Sequence, residues 1–149
     1  MAKEDWKIAE YSAEWLLRER YHCVATRRSV RTRFQSVDFF GTDVMGRDAE
    51  GRTIWIQATA GSSANVAHRR RKIEEHQWRE GVMLIEVRME KDGRRKVGMY
   101  RLHWWDNSMW EVIDVGEVPR HWMQPWTQKR MDAAKCGIKS RRDGHGNHR

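Results

Sequence analysis

The sequence predicts an α/β fold, a mixed central β-sheet flanked by helices. Three observations carry this. Residues 53–59 alternate apolar and polar side chains with the period of two that marks a half-buried strand. Residues 4–20 hold no Gly or Pro, are rich in Ala, Glu, Leu, Lys and Arg, and begin with acidic residues that suit a helix N-terminus. Further apolar runs then give the order helix, strand, hairpin, helix, strand, strand, strand, which packs as helices around a mixed sheet.

In the first helix, Ile8, Tyr11, Ser12 and Trp15 form one stripe, and Trp6, Ala13 and Leu17 another. A helix apolar on two sides is well buried. Glu10 and Glu14 share a third strip. Residues 22–26 read as a first strand. Residues 27–36 form a strongly basic loop (Arg27, Arg28, Arg31, Arg33), and residues 37–40 are a short apolar lead into the hairpin.

The hairpin is the most informative stretch. Ile54, Ile56 and Ala58 occupy one face of its second arm, Gln57 and Thr59 the other. Asp48-Ala49-Glu50-Gly51 supplies a type I turn closed by a left-handed Gly51. If Asp48 pairs with Arg52, Val44 lies opposite Ile56 and Asp43 opposite Gln57. Such neighbours have Cβ atoms about 5 Å apart, close enough for both side chains to touch one divalent ion. A slip of one residue would send Gln57 to the core side.

Gly61-Ser62-Ser63 breaks the chain. Residues 64–79 form the second helix, dense in His68-Arg69-Arg70-Arg71-Lys72. Residues 82–89, 96–105 and 109–115 are strands, the first two joined by a turn at Lys91-Asp92-Gly93-Arg94. Residues 1–116 are expected to form the core domain. Residues 117–149 are expected to be a basic, partly flexible extension, since residues 120–149 hold eight Lys or Arg against two Asp and no Glu.

The 149 residues suit one domain, and the formal charge of +8 favours a polyanionic partner. No apolar window is long enough for a membrane span. The N-terminal residues 1–6 lack the apolar stretch of a signal peptide. Cys23 and Cys136 have no partner spacing for zinc, and two isolated thiols suit a reducing, cytoplasmic compartment. Of nine tryptophans, Trp15, Trp55, Trp104 and Trp110 fall in periodic segments and are expected in the core. No pair among the seven histidines has a ligand spacing, so they read as incidental.

Taken together, Glu10, Asp43 and Gln57 resemble the motif of the PD-(D/E)XK nuclease superfamily, in particular the archaeal-type Holliday-junction resolvases and their phage relatives. That family's pattern is a Glu on the first helix, a strand, a loop, an Asp at the start of a hairpin, Glu-x-Lys or Gln-x-Lys on the next strand, then a helix. Glu10 stands eleven residues before Tyr21, Asp43 sits in a Gly-x-Asp context, and Gln57 takes the Glu or Gln position. The similarity covers residues 4–80, and the C-terminal half carries no matching motif. One departure is serious. The family's lysine position is Thr59, whose hydroxyl cannot replace an ammonium group. Some branches relocate that lysine, and Lys72 on the second helix is the candidate.

The resemblance implies a restriction-endonuclease-like core and a Mg²⁺-dependent endodeoxyribonuclease that resolves four-way junctions by phosphodiester hydrolysis. Mg²⁺ (with Mn²⁺ substituting) would be held by Asp43, Gln57, the carbonyl of Ala58 and Glu10, with Lys72 orienting water or stabilising the transition state. Glu14 is an alternative to Glu10, and Asp38 competes with Asp43. Arg31 and Arg33 before the hairpin, and Arg69, Arg70 and Arg71 after it, would grip DNA phosphates. A homodimer acting on branched DNA in a prokaryotic or phage-infected cytoplasm is expected. Two alternatives stand beside this reading: an inactive DNA-binding protein on a decayed nuclease fold, and a nicking or restriction-type endonuclease.

Overall fold

A computed structural model describes residues 5–31, 36–37, 39, 41–76, 78 and 81–136, with the backbone alone at residues 30, 31, 36 and 37. The acidic start and the double apolar stripe produce helix α1 (Asp5–Glu19). It ends where His22 takes a left-handed turn (φ 55°) into strand β1 (Cys23–Arg28). A short ribbon follows, β2 (Val30–Arg31) against β3 (Ser36–Val37). The hairpin is β4 (Val44–Asp48) and β5 (Thr53–Ala60). Helix α2 (Ser63–Glu74) then crosses to β6 (Val82–Asp92), β7 (Arg95–Trp105) and β8 (Trp110–Glu117), followed by a 3₁₀ turn (Arg120–Met123) and a helical stretch at residues 128–136.

Six strands form one sheet in the order β1-β4-β5-β6-β7-β8. β5 and β6 are parallel, because α2 carries the chain from one end of the sheet back to the other; the remaining neighbours are antiparallel. α1 covers one face, packing Ala13, Leu16 and Leu17 with Ile56, Met83, Ile85 and Leu102. α2 lies over the other face with Val66 and Ile73 on Val82 and Leu84. The architecture is therefore the expected mixed sheet flanked by helices.

The hairpin turn forms through the chemistry its residues supply. Gly51 has φ +83°, as the left-handed position requires. The Asp48 carboxylate accepts from the backbone N–H of Arg52 at 2.9 Å and of Glu50 at 3.0 Å. The Arg52 N–H, then its guanidinium, holds the Asp48 carboxyl below the usual carboxylate range. On β4, Gly46 leaves room for α1: a Cβ there would meet Cys23 Sγ at 2.6 Å and Leu17 Cδ1 at 3.1 Å.

Several elements differ from expectation; β6 runs to Asp92 rather than residue 89, and β8 spans Trp110–Glu117 rather than residues 109–115. β1 runs two residues further, to Arg28, because its outer residues pair with β4 although they are exposed. The basic stretch after it contains the β2–β3 ribbon. α2 stops at Glu74 instead of residue 79. Glu74 and Glu75 oppose the negative end of the helix dipole, and the Trp78 indole N–H donates to the Ile73 carbonyl at 3.1 Å, closing the terminus.

After β8 the chain returns to α1. Val118 and Trp122 are buried. Trp15 Nε1 donates to the Gln124 carbonyl at 2.8 Å, Trp122 Nε1 to Glu19 at 3.2 Å, and the Arg18 guanidinium lies 3.6 Å over the Trp126 ring. Residues 118–126 thus form part of the packing around α1.

Candidate functional site

The register of the hairpin sets the site. Val44 pairs with Ile56, and the Asp43 N–H donates to the Ile56 carbonyl at 3.2 Å. Asp43 consequently stands across from Gln57, as the turn chemistry predicts. Gln57 Nε2 donates to Asp43 Oδ2 at 2.8 Å and to the Ala58 carbonyl at 3.1 Å. Two acceptors on one side of the amide place its NH₂ there. Asp43 is 3% exposed and Gln57 1%. A neutral amide thereby satisfies a buried carboxylate without adding a second charge.

Asp43 opens onto a cleft of about 300 Å³. Glu10 and Trp6 enter from α1, and Ala58, Thr59 and Ala60 form the wall along β5. Asn65, His68 and Arg69 close it from α2. α2 is fixed against the end of β5 by its own first turn. The Ser62 hydroxyl caps the helix by accepting from the Asn65 N–H at 3.3 Å, and the Asn65 side chain donates to the Ala60 carbonyl at 2.9 Å. Asn65, His68 and Arg69 lie on one helical face by their spacing, and Lys72 continues that face one turn further on.

The structure therefore brings Glu10, Asp43, Gln57, Ala58 and Thr59 together. Lys72 is not among the residues lining the cleft; its carbonyl lies near Gly41. The cation facing the cleft is Arg69. Glu14 points elsewhere, accepting from the Thr26 hydroxyl at 2.6 Å. Arg70 and Arg71 fall on the other side of α2, because successive helical residues are about 100° apart. Arg31 is on β2, while Arg33, Asp38 and residues 137–149 lie outside the described residues. His68, which reads as incidental in the sequence, and Trp6 both line the cleft. The i, i+3, i+4 spacing of Asn65, His68 and Arg69 is the signal that points to His68.

Among the described residues, no three His, Cys, Asp or Glu side chains converge as a metal cluster. The cleft is instead lined by two carboxylate residues, Glu10 and Asp43, while the Ala58 carbonyl accepts from the same Gln57 amide that holds Asp43. That donor set consists of hard oxygens. Oxygen donors of this kind are the class that Mg²⁺ takes, usually one or two carboxylates together with substrate phosphates.

Comparison of the chain with protein-family models, with curated proteins and with solved structures found no match. No helix among the described residues is long and apolar enough to cross a membrane.

Proposed function

We propose that the protein is a metal-dependent endodeoxyribonuclease that hydrolyses phosphodiesters in branched DNA, of the Holliday-junction resolvase type. The observation that carries this reading is the contact of Asp43 and Gln57 across the hairpin, inside a cleft that Glu10 also enters. The order of helix, strand, hairpin, helix and parallel strand around it supports the resemblance to PD-(D/E)XK nucleases.

In this proposal Asp43, Glu10, the Ala58 carbonyl and the amide oxygen of Gln57 would hold Mg²⁺. The bound ion would lower the pKa of a water and offset charge on the phosphate. The chain's own groups do the rest. Glu10 accepts the proton of the attacking water, the water oxygen forms the new bond to phosphorus, the bond to the sugar oxygen breaks, and the departing sugar oxygen takes up a proton from solvent. Arg69, facing the cleft where the family's lysine is absent, stabilises the negative charge that accumulates on the phosphoryl oxygens. The basic surface supplies affinity without sequence preference.

A second reading, a DNA-binding protein that does not cut, is favoured by Thr59 and by the way the Gln57 amide already satisfies Asp43 and Ala58. Labelled four-way junction, linear duplex and single-stranded DNA, each with Mg²⁺ or chelator, separate the two. The nuclease cuts the junction at symmetric positions only with the metal, and Asp43→Ala abolishes cutting. Tight binding with no cleavage under Mg²⁺ or Mn²⁺ supports the second reading, and cleavage that survives Asp43→Ala overturns the site assignment.

A further inference from the structure

A second polar centre lies on the α2 face of the sheet, away from the hairpin cleft. Glu86 on β6 and His103 on β7 are 4% and 3% exposed. The ring Nε2 of His103 meets Glu86 Oε1 at 3.0 Å, and its Nδ1 meets an Arg70 terminal nitrogen at 2.6 Å. A guanidinium only donates, so Nδ1 accepts and the proton of the neutral ring sits on Nε2, directed at Glu86. Burial, then the neighbouring arginines Arg70 and Arg101, pushes His103 below the usual histidine range although Glu86 opposes this.

The buried carboxylate therefore gathers arginines. Arg88 Nε donates to Glu86 Oε2 at 3.3 Å, and an Arg101 terminal nitrogen stands 3.8 Å from Glu86 Oε1. The Arg88 and Arg101 side chains are each about half exposed (48% and 53%). Arg70 lies 4.9 Å over the Trp110 ring, and its Nε is buried with no hydrogen-bond partner. These groups line a pocket of about 440 Å³ between α2 and the β6–β7 strands. Glu74 at the rim is occupied by the Trp110 indole N–H at 2.7 Å. One buried carboxylate shared among several guanidinium groups leaves donors in excess of acceptors.

We infer that the pocket bounded by Arg70, Arg88, Arg101 and Trp110, organised from beneath by the Glu86–His103 pair, is a phosphate-binding site distinct from the hairpin cleft. Planar guanidinium groups match phosphate oxygens in pairs, and Glu86 and His103 hold them in place before the anion arrives. The phosphate is one carried by a nucleic-acid strand or one on a small phosphorylated ligand. Only the first source rests on the proposed nuclease function.

The test is run in chelator, which keeps it independent of cleavage and of any metal in the other cleft. Inorganic phosphate is titrated against the full chain while the arginine Nε–H resonances are followed by NMR. A short single-stranded oligonucleotide is then added as competitor. Arg88→Gln/Arg101→Gln is compared with Arg94→Gln/Arg95→Gln, which removes the same charge from the β6–β7 turn. A thermal melt of each variant reports folding, and Arg88→Lys/Arg101→Lys keeps the charge without the paired donors.

The expected result is phosphate binding that shifts the Arg70 and Arg88 resonances and weakens at least about tenfold in the Arg88/Arg101 glutamine variant. The turn variant changes it by about twofold or less, and the lysine variant falls between. Displacement of phosphate by the oligonucleotide identifies a nucleic-acid strand as the source. Phosphate binding that the oligonucleotide leaves untouched assigns the site to a small phosphorylated ligand and excludes the strand. Equal weakening in the two glutamine variants, or none in either, overturns the site.

Discussion

At the scale of single residues, the side-chain NH₂ of Gln57 touches Asp43 Oδ2 and the Ala58 carbonyl, two oxygens that the proposed metal would also use. Loading a cation there requires the amide to turn its oxygen inward. Under the proposed function, metal affinity should therefore be weak without substrate and rise when a DNA phosphate joins the donors. Gln57→Glu tests this without any assay of cleavage. In chelator the variant places a second carboxylate against Asp43, which raises the folded-state pKa of the pair above the unfolded value of about 4.3. Below about pH 4.3 the pair is protonated in both states. Above it, the folded state holds the extra proton, so stability falls as pH rises. The variant's melting temperature, relative to wild type, should be lower at pH 8 than at pH 5 in chelator, and Mg²⁺ should restore it at pH 8. An identical profile with and without Mg²⁺ contradicts the arrangement.

His103 gives the opposite pH dependence. Its folded pKa lies below the ordinary histidine value of about 6.5, because burial and the Arg70 and Arg101 charges outweigh Glu86. The unfolded chain then binds the proton first, so the contribution is complete above about pH 6.5 and is lost as pH falls toward the depressed value. Wild type should lose melting temperature between pH 7.5 and 5 faster than His103→Gln does, measured under the same buffers. Parallel curves would show that the ring titrates as it does in the unfolded chain.

At the scale of elements, the rotation of α2 decides which basic residue lines the cleft. The run Arg69-Arg70-Arg71-Lys72 looks like one basic patch in sequence, but the helix divides it. Arg69 lines the hairpin cleft, while Arg70 and Arg71 line the pocket beside Trp110. Arg69→Ala should lower kcat for junction cleavage by about a hundredfold with a smaller change in KM, and Lys72→Ala should alter kcat by less than about threefold. The reverse pattern would return the catalytic cation to Lys72.

The hairpin was legible in the sequence because its determinants are local. Asp48 and Gly51 set the turn, and alternation along residues 53–59 sets the faces, so the placement of Asp43 opposite Gln57 follows. Which basic residue of α2 lines the cleft was not legible. It depends on the rotation of α2, which the Ser62 cap and the Asn65–Ala60 bond fix against β5. The Glu86–His103 pair was likewise hidden, since its residues meet only across two strands that are paired in register.

At the scale of the whole molecule, the sheet separates two faces with different roles. α1 and the returning residues 118–126 close one apolar side, and α2 with its arginines covers the other. The returning segment was expected to be a basic extension, because its composition hides two long-range anchors, Val118 and Trp122. Trp122 is fully buried, touching Tyr100 with ring centroids 5.8 Å apart and donating to Glu19. Trp122→Ala should cost about 3–5 kcal/mol of unfolding free energy by denaturant titration. A loss under about 1 kcal/mol would mean that the segment is not part of the cooperative unit.

In the proposed reaction Asp43 and Glu10 share one divalent cation at the mouth of the hairpin. The most direct measurement is a Mn²⁺ titration of the protein with an uncleavable junction bound, followed by water-proton relaxation. Mn²⁺ binding should be abolished by Asp43→Asn and weakened at least about tenfold by Glu10→Gln, with junction binding in chelator unchanged. Mn²⁺ binding equal in wild type and Asp43→Asn would contradict the shared site.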